Sequence, residues 1–139
     1  MRVKVILGAI SGTVAVPASK SMTHRAIICA SLAKGTSRIN NIAYSKDICA
    51  TIACMEALGA SIQTFDTYCI VNGCDITRIS KDTTIDCNES GSTMRFLVPL
   101  AAITQAQITM KGHGRLLQRP MDIYHKLFDD QGITFEQKD

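Results

Sequence analysis

The stretch Pro17-Ala18-Ser19-Lys20-Ser21-Met22-Thr23-His24-Arg25-Ala26 decides the fold, because it recurs in outline as Ser90-Gly91-Ser92-Thr93-Met94-Arg95. In both places a serine stands before a helical pattern, and serine is among the preferred N-cap residues. Ser19-Lys20-Ser21 and Ser90-Gly91-Ser92 are 71 residues apart, and Arg25 and Arg95 are 70 apart. Working outward, Thr13-Val14 pairs with Thr84-Ile85 at the same offset of 71, and Ile39 with Ile108 at 69. Asp47-Ile48 pairs with Asp122-Ile123, and Gly59 with Gly132. Matches in one order along the chain indicate a duplicated unit.

The elements read strand–helix–strand–helix–strand twice. Gly12–Val16 is the first expected strand, followed by a helix over Lys20–Ala33 that Gly35 closes. Thr36–Ile42 is the next strand. Ser45 or Asp47 opens a second helix, whose Ile48, Ile52, Met55 and Leu58 make one apolar stripe. Gly59 closes it and Ser61–Phe65 is a strand. Asn72-Gly73 predicts a hairpin turn between Tyr68–Val71 and Cys74–Thr77. The second round predicts a strand at Thr84–Cys87, a helix from Gly91 towards Ile103 bent at Pro99, and a strand at Gln107–Lys111. A helix over Asp122–Asp130 and a strand over Ile133–Glu136 follow. The fold class is therefore α/β (α+β), with repeat one over 13–81 and an incomplete repeat two over 84–139. The second copy stops where the first copy's hairpin would begin, so the chain is expected to be truncated within that unit.

At 139 residues the chain is long enough for one domain with a real core. Hydrophobic residues at 46% and charged residues at 19% exclude a disordered composition. No apolar run approaches the roughly 18 residues of a membrane helix. A net charge of +3, without a Lys/Arg stripe and with 5% aromatic residues, suits a small anionic ligand better than nucleic acid. Met1–Val5 alternates like a strand and lacks signal-peptide features, so a cytoplasmic location is expected. The six cysteines have no zinc-like spacing, and are expected to be buried reduced thiols.

The two serine-headed helix starts are candidate anion sites, since free N–H groups and the positive dipole end converge there. Ser21 and Arg25, four apart, share a face, and Lys20 lies in the first turn. Cations at a helix N-terminus oppose the dipole, and a bound phosphate or carboxylate would give them a purpose. Gly91 would let a ligand approach the backbone closely. Arg119, in the loop Lys111–Pro120, could clamp a carboxylate with its planar fork. A bare serine cap with solvated basic residues is the alternative at each place. His24, His113 and His125 show no metal spacing.

With PASKSMTHRA (17–26), SGSTMR (90–95) and QRPMD (118–122) in this order, the chain resembles the N-terminal part of the 5-enolpyruvylshikimate-3-phosphate synthase family over essentially its whole length. These enzymes are about three times as long, with two domains, each of three βαβαββ units, in an inside-out barrel. The resemblance implies about two such units here, with residues 1–12 belonging to the other domain. It implies that Lys20, Ser21 and Arg25 bind shikimate-3-phosphate, and that Lys20, Gly91, Arg95 and Arg119 bind phosphoenolpyruvate. Lys20 and Arg119 are the implied catalytic residues, acting by electrostatic positioning together with Arg25. No cofactor, metal, nucleic acid or membrane is implied. The implied partners are the two substrates and the C-terminal domain of the same enzyme, which carries most of the proton-transfer carboxylates. Glu89-Ser90 departs from the Asn-Ala or Asn-Ser of many members, which leaves open whether Glu89 points away or pairs with Arg95 or Arg119. The UDP-N-acetylglucosamine enolpyruvyl transferases are the neighbouring alternative. They carry a reactive cysteine at the position of Gly114 and Lys-Asn in place of Lys20-Ser21. A non-catalytic anion-binding module is a further alternative.

Overall fold

The computed structural model describes residues 2–4, 6 and 8–137. The strand expected at Met1–Val5 falls partly outside them, at Met1 and Val5. The first helix, α1, spans Lys20–Leu32; the Ser19 hydroxyl accepts from the Met22 N–H at 3.4 Å. Strand β1 is Thr36–Asn40. Helix α2 covers Lys46–Ala57 behind Ser45, whose hydroxyl accepts from the Ile48 N–H at 3.3 Å. Strands β2 (Ser61–Thr64) and β3 (Tyr68–Asn72) follow. The second round comprises β4 (Thr83–Asp86), α3 (Gly91–Ala101), β5 (Ile108–Lys111) and α4 (Asp122–Asp129).

Two sheets result. The first has the order β1-β3-β2, with both neighbours antiparallel to β3. In the second, β4 and β5 pair in parallel, as a strand–helix–strand crossover through α3 allows. The stripe on α2 is the centre of the core: Ile48 and Met55 are fully buried, Leu58 and Ile52 nearly so. On α1 the positions His24, Ile27, Ile28 and Ser31 are buried, the 3–4 spacing of one helix face. Ile85 on β4 and Leu97 on α3 join the same core, so α2 is packed between the two sheets' helices.

Three expectations are corrected. Gly12–Val16 forms no strand; Val14 and Val16 are 83% exposed, with no ladder partner among the described residues. A strand is a property of a pair, and alternation alone does not supply the second member. Ile133–Glu136 likewise forms no strand, and Ile133 and Phe135 instead pack against the α4 cluster around Phe128. The hairpin at Asn72-Gly73 is absent, since β3 turns back on β2 through Phe65–Thr67. Gly73 serves a different purpose: a Cβ there would collide with the Ala33 carbonyl and lie 2.8 Å from the Ala30 carbonyl. Its N–H donates to Gly35, and the Cys74 N–H donates to Ser31 at 2.8 Å. The glycine lets the chain cross the end of α1 and satisfy a free carbonyl there.

The cysteines are also divided. Cys54, Cys69 and Cys87 are buried and Cys74 is half-buried, but Cys29 and Cys49 are exposed. Cys49 and Cys54 face opposite ways because five residues advance a helix by about 140° beyond a full turn.

Pro99 sits within α3 and has no N–H to give the Arg95 carbonyl. The Tyr124 hydroxyl from α4 donates to that carbonyl at 3.0 Å. A hydrogen bond missing from one helix is thereby replaced by one that docks another.

Candidate active-site wall

Both serine-headed helix starts are formed. At α1, Lys20, Ser21 and Arg25 are all exposed. Lys20 is not an unpartnered cation: its Nζ lies 2.6 Å from Asp47 Oδ2, in the first turn of α2. Asp47 therefore supplies part of the compensation that cations at a helix N-terminus require. The pair is solvent-exposed, so it is worth at most about 1 kcal/mol and an arriving phosphate can compete for the ammonium. Arg25 donates to the Ser21 carbonyl at 2.9 Å and lies 5.0 Å above the Phe96 ring on α3. These contacts hold the guanidinium beside the start of α1.

At α3, Ser90 caps the helix by accepting from the Thr93 N–H at 3.2 Å. Gly91 is buried beneath Arg119. A Cβ at position 91 would collide with Nη1 of Arg119 and stand 3.0 Å from its Cζ. Two motifs far apart in sequence thus meet at one helix start. Arg95, one turn further into α3, is exposed, and its carbonyl rather than its side chain is tied down, by Tyr124.

The loop that carries Arg119 is anchored to the segment before α3. The His113 N–H donates to the Asn88 carbonyl at 2.8 Å, and His113 Nε2 lies 2.9 Å from Asp86 Oδ2. Asp86 also accepts from the Asn88 N–H at 2.8 Å. The His113 hydrogen bond, followed by that from Asn88, holds the Asp86 carboxyl below its ordinary range. Glu89 lies against the loop at Gly114: its carboxyl carbon is 2.8 Å from where a Cβ on Gly114 would stand. Among the described residues Glu89 forms no ion pair with Arg95 or Arg119.

Between the two helix starts runs a buried polar connection. Thr51 and Thr93 hydroxyls lie 2.7 Å apart, and both approach the Asp47 carbonyl, at 3.3 and 3.4 Å. Asp47 is thus joined to Lys20 through its side chain and to α3 through its backbone. Asp47, Thr51 and Thr93 escape a motif reading because their partners lie on other helices. The one available signal was Asp47 recurring at the place of Asp122.

A family model for EPSP synthase (3-phosphoshikimate 1-carboxyvinyltransferase) matches residues 6–138. The 3-phosphoshikimate 1-carboxyvinyltransferase of Clostridium beijerinckii is 48% identical over 142 aligned positions, covering 98% of this chain and 33% of that protein. That of Clostridium perfringens strain SM101 is 48% identical, covering 92% of this chain and 30% of that protein. The solved structure of EPSP synthase from Acinetobacter baumannii superposes with a TM-score of 0.74 at 25% identity, covering 92% of this chain and 30% of that one. The chain spans about a third of the length of the curated relatives it matches.

Proposed function

The chain belongs to the EPSP synthase family, and from that premise we propose that it forms one wall of a cleft for enolpyruvyl transfer from phosphoenolpyruvate to the 5-hydroxyl of shikimate-3-phosphate. The observation that carries this reading is the Arg119 guanidinium lying on Gly91 at the start of α3. A carboxylate or phosphate there would meet free N–H groups, the helix dipole and a planar donor fork together.

In the proposed reaction the 5-hydroxyl oxygen bonds to C2 of phosphoenolpyruvate. Its proton leaves and the methylene C3 gains one. The C2–O bond to phosphate then breaks as C3 gives up a proton, which yields the enol ether and inorganic phosphate. Lys20, Ser21 and Arg25 hold shikimate-3-phosphate. Lys20, Gly91, Arg95 and Arg119 hold phosphoenolpyruvate, and Lys20 and Arg119 stabilise charge at the reacting end. Their contribution is orientation and electrostatic stabilisation, terms that can each amount to several kcal/mol of barrier. The proton-transfer carboxylates are assigned to the second domain of the full-length enzyme. Residues 13–81 are read as repeat one and 84–139 as an incomplete repeat two of the βαβαββ type, and the segment 1–12 is assigned to the second domain. The matching caps at Ser19 and Ser90 support the duplication. A cytoplasmic location fits the biosynthetic role; among the described residues no helix is long and apolar enough to cross a membrane.

The test is an NMR titration of this chain with shikimate-3-phosphate at low salt. Shifts centred on residues 19–25 are expected. Arg25→Ala should weaken binding by about 1.5–3 kcal/mol, the worth of a charged hydrogen bond. Lys20→Ala should weaken it as well, whereas Arg2→Ala should change little. Equal losses for all three variants would mean that only diffuse charge attracts the ligand.

A further inference from the structure

His24 is entirely buried on α1, and the site described above does not use it. Its Nδ1 lies 2.7 Å from Thr51 Oγ1 on α2. Thr51 Oγ1 lies 2.7 Å from Thr93 Oγ1, which lies 2.7 Å from Ser90 Oγ. Thr51 and Thr93 are fully buried and Ser90 is 1% exposed. Four side chains from three elements thus form one dry polar line that ends at the cap of α3. The other ring nitrogen, Nε2, has no hydrogen-bond partner among the described residues.

The Asp47 carbonyl stands 3.3 and 3.4 Å from the Thr51 and Thr93 hydroxyls, against 2.7 Å along the line, so each hydroxyl's single proton goes to the shorter link and the line can run in two directions. With the proton on Nδ1, the ring donates to Thr51, Thr51 to Thr93, and Thr93 to Ser90. The Ser90 O–H is then the spare donor, at the start of α3. With the proton on Nε2, every link reverses, and the spare donor is an N–H enclosed in the core. Orphaned buried N–H groups are rarer than under-satisfied acceptors, which favours the first direction. Burial holds the His24 pKa below its ordinary value; Asp47 on α2 opposes this, and Lys20 and Arg25 on α1 reinforce it. The ring is therefore neutral near pH 7, and its tautomer is the variable that matters.

We infer that His24 is a positioning residue: as the Nδ1–H tautomer it orients the Thr51–Thr93–Ser90 line so that Ser90 offers its proton to the anion bound at the start of α3. The inference rests on reading that helix start as the phosphoenolpyruvate side of the wall.

The test has two arms on this chain. Long-range nitrogen–proton NMR correlations of the His24 ring, assigned by their loss in His24→Asn, report the tautomer without any ligand. A protonated Nδ1 is expected, and a protonated Nε2 overturns the inference. In the second arm, phosphoenolpyruvate and shikimate-3-phosphate are titrated separately into wild type, Thr51→Val, Ser90→Ala, His24→Asn and His24→Leu, with folding checked by the amide spectrum. Thr51→Val and Ser90→Ala should weaken phosphoenolpyruvate about 3- to 10-fold, the range of a neutral hydrogen bond. Both should leave shikimate-3-phosphate within about twofold. His24→Asn, whose amide N–H can stand where Nδ1–H stands, should retain more phosphoenolpyruvate affinity than His24→Leu. Undiminished phosphoenolpyruvate binding in folded Thr51→Val and Ser90→Ala refutes the inference, as does an equal loss of both ligands. If wild type binds neither ligand, the reading of the chain as a substrate wall fails, and the tautomer still decides the direction of the line.

Discussion

Replacing Gly91 with alanine should separate binding from stability. The added methyl would stand in the space now held by Arg119, 3.0 Å from Cζ and 3.3 Å from Cδ, and would collide with Nη1. The obstacle is the end of a flexible side chain, so the guanidinium moves away and the backbone stays. Position 91 is the first residue of α3 and does not have positive φ, so alanine suits its conformation. Within helices alanine is favoured over glycine by roughly 0.5–1 kcal/mol, with less expected at a first position. Stability should therefore hold or rise slightly. Binding of phosphoenolpyruvate should fall, because a charged hydrogen bond worth about 1.5–3 kcal/mol loses its geometry. Arg119 is solvent-exposed, which places the loss near the lower end, roughly tenfold. Thermal melts would give the first quantity and an NMR titration the second. A variant with unchanged phosphoenolpyruvate affinity would refute the pairing of Gly91 with Arg119 as a binding element. A lower Tm together with lost binding would show that the glycine is needed for the helix itself.

Three further outcomes follow from the packing. Tyr124→Phe should destabilise the chain by about 1 kcal/mol, and by clearly less in a Pro99→Ala background, where an N–H at 99 supplies the Arg95 carbonyl; a double-mutant cycle by denaturant unfolding measures the difference. Met55→Ala empties a fully buried position on α2 and should cost about 2–5 kcal/mol by the same measurement. Because the Asp86 carboxyl titrates lower in the folded chain than unfolded, its contribution is present above the unfolded value near 3.9 and is lost as the pH falls through the folded value. Asp86→Asn should therefore flatten the acid side of a Tm-against-pH profile, and an unchanged acid slope would count against the His113–Asp86 clasp.

Most of the helical framework was legible because its causes are local. Ser19, Ser45 and Ser90 cap the helices they precede, and the apolar stripe on α2 is buried as its spacing implies. What the sequence reading missed depends on partners. Gly12–Val16 and Ile133–Glu136 carry strand-like patterns, and no described strand lies beside them. Asn72-Gly73 has the composition of a hairpin turn, yet Gly73 answers a steric demand made by the end of α1. At the candidate site, Lys20, Ser21 and Arg25 were legible as a helix-start cluster. The meeting of Gly91 with Arg119 came only from the family resemblance, since no periodicity links a helix start to a distant loop. Asp47 and the His24–Thr51–Thr93 line join different helices, and chemistry between elements leaves little trace in any one of them.

The strand order β1-β3-β2 also constrains the time course of folding. Its middle strand is the last of the three to be synthesised, so β1 and β2, both antiparallel to β3, never touch as partners. Until Tyr68–Asn72 leaves the ribosome, Thr36–Asn40 is an edge with nothing to pair against. The turn between β2 and β3 is short and closes quickly, whereas joining β1 to β3 must first close the loop that contains α2. Folding of this half should therefore await β3, with the apolar residues of the α1 and α2 segments exposed in the interval, since helices of 13 and 12 residues are marginal before they pack. That interval is when the nascent chain is most prone to associate with its neighbours.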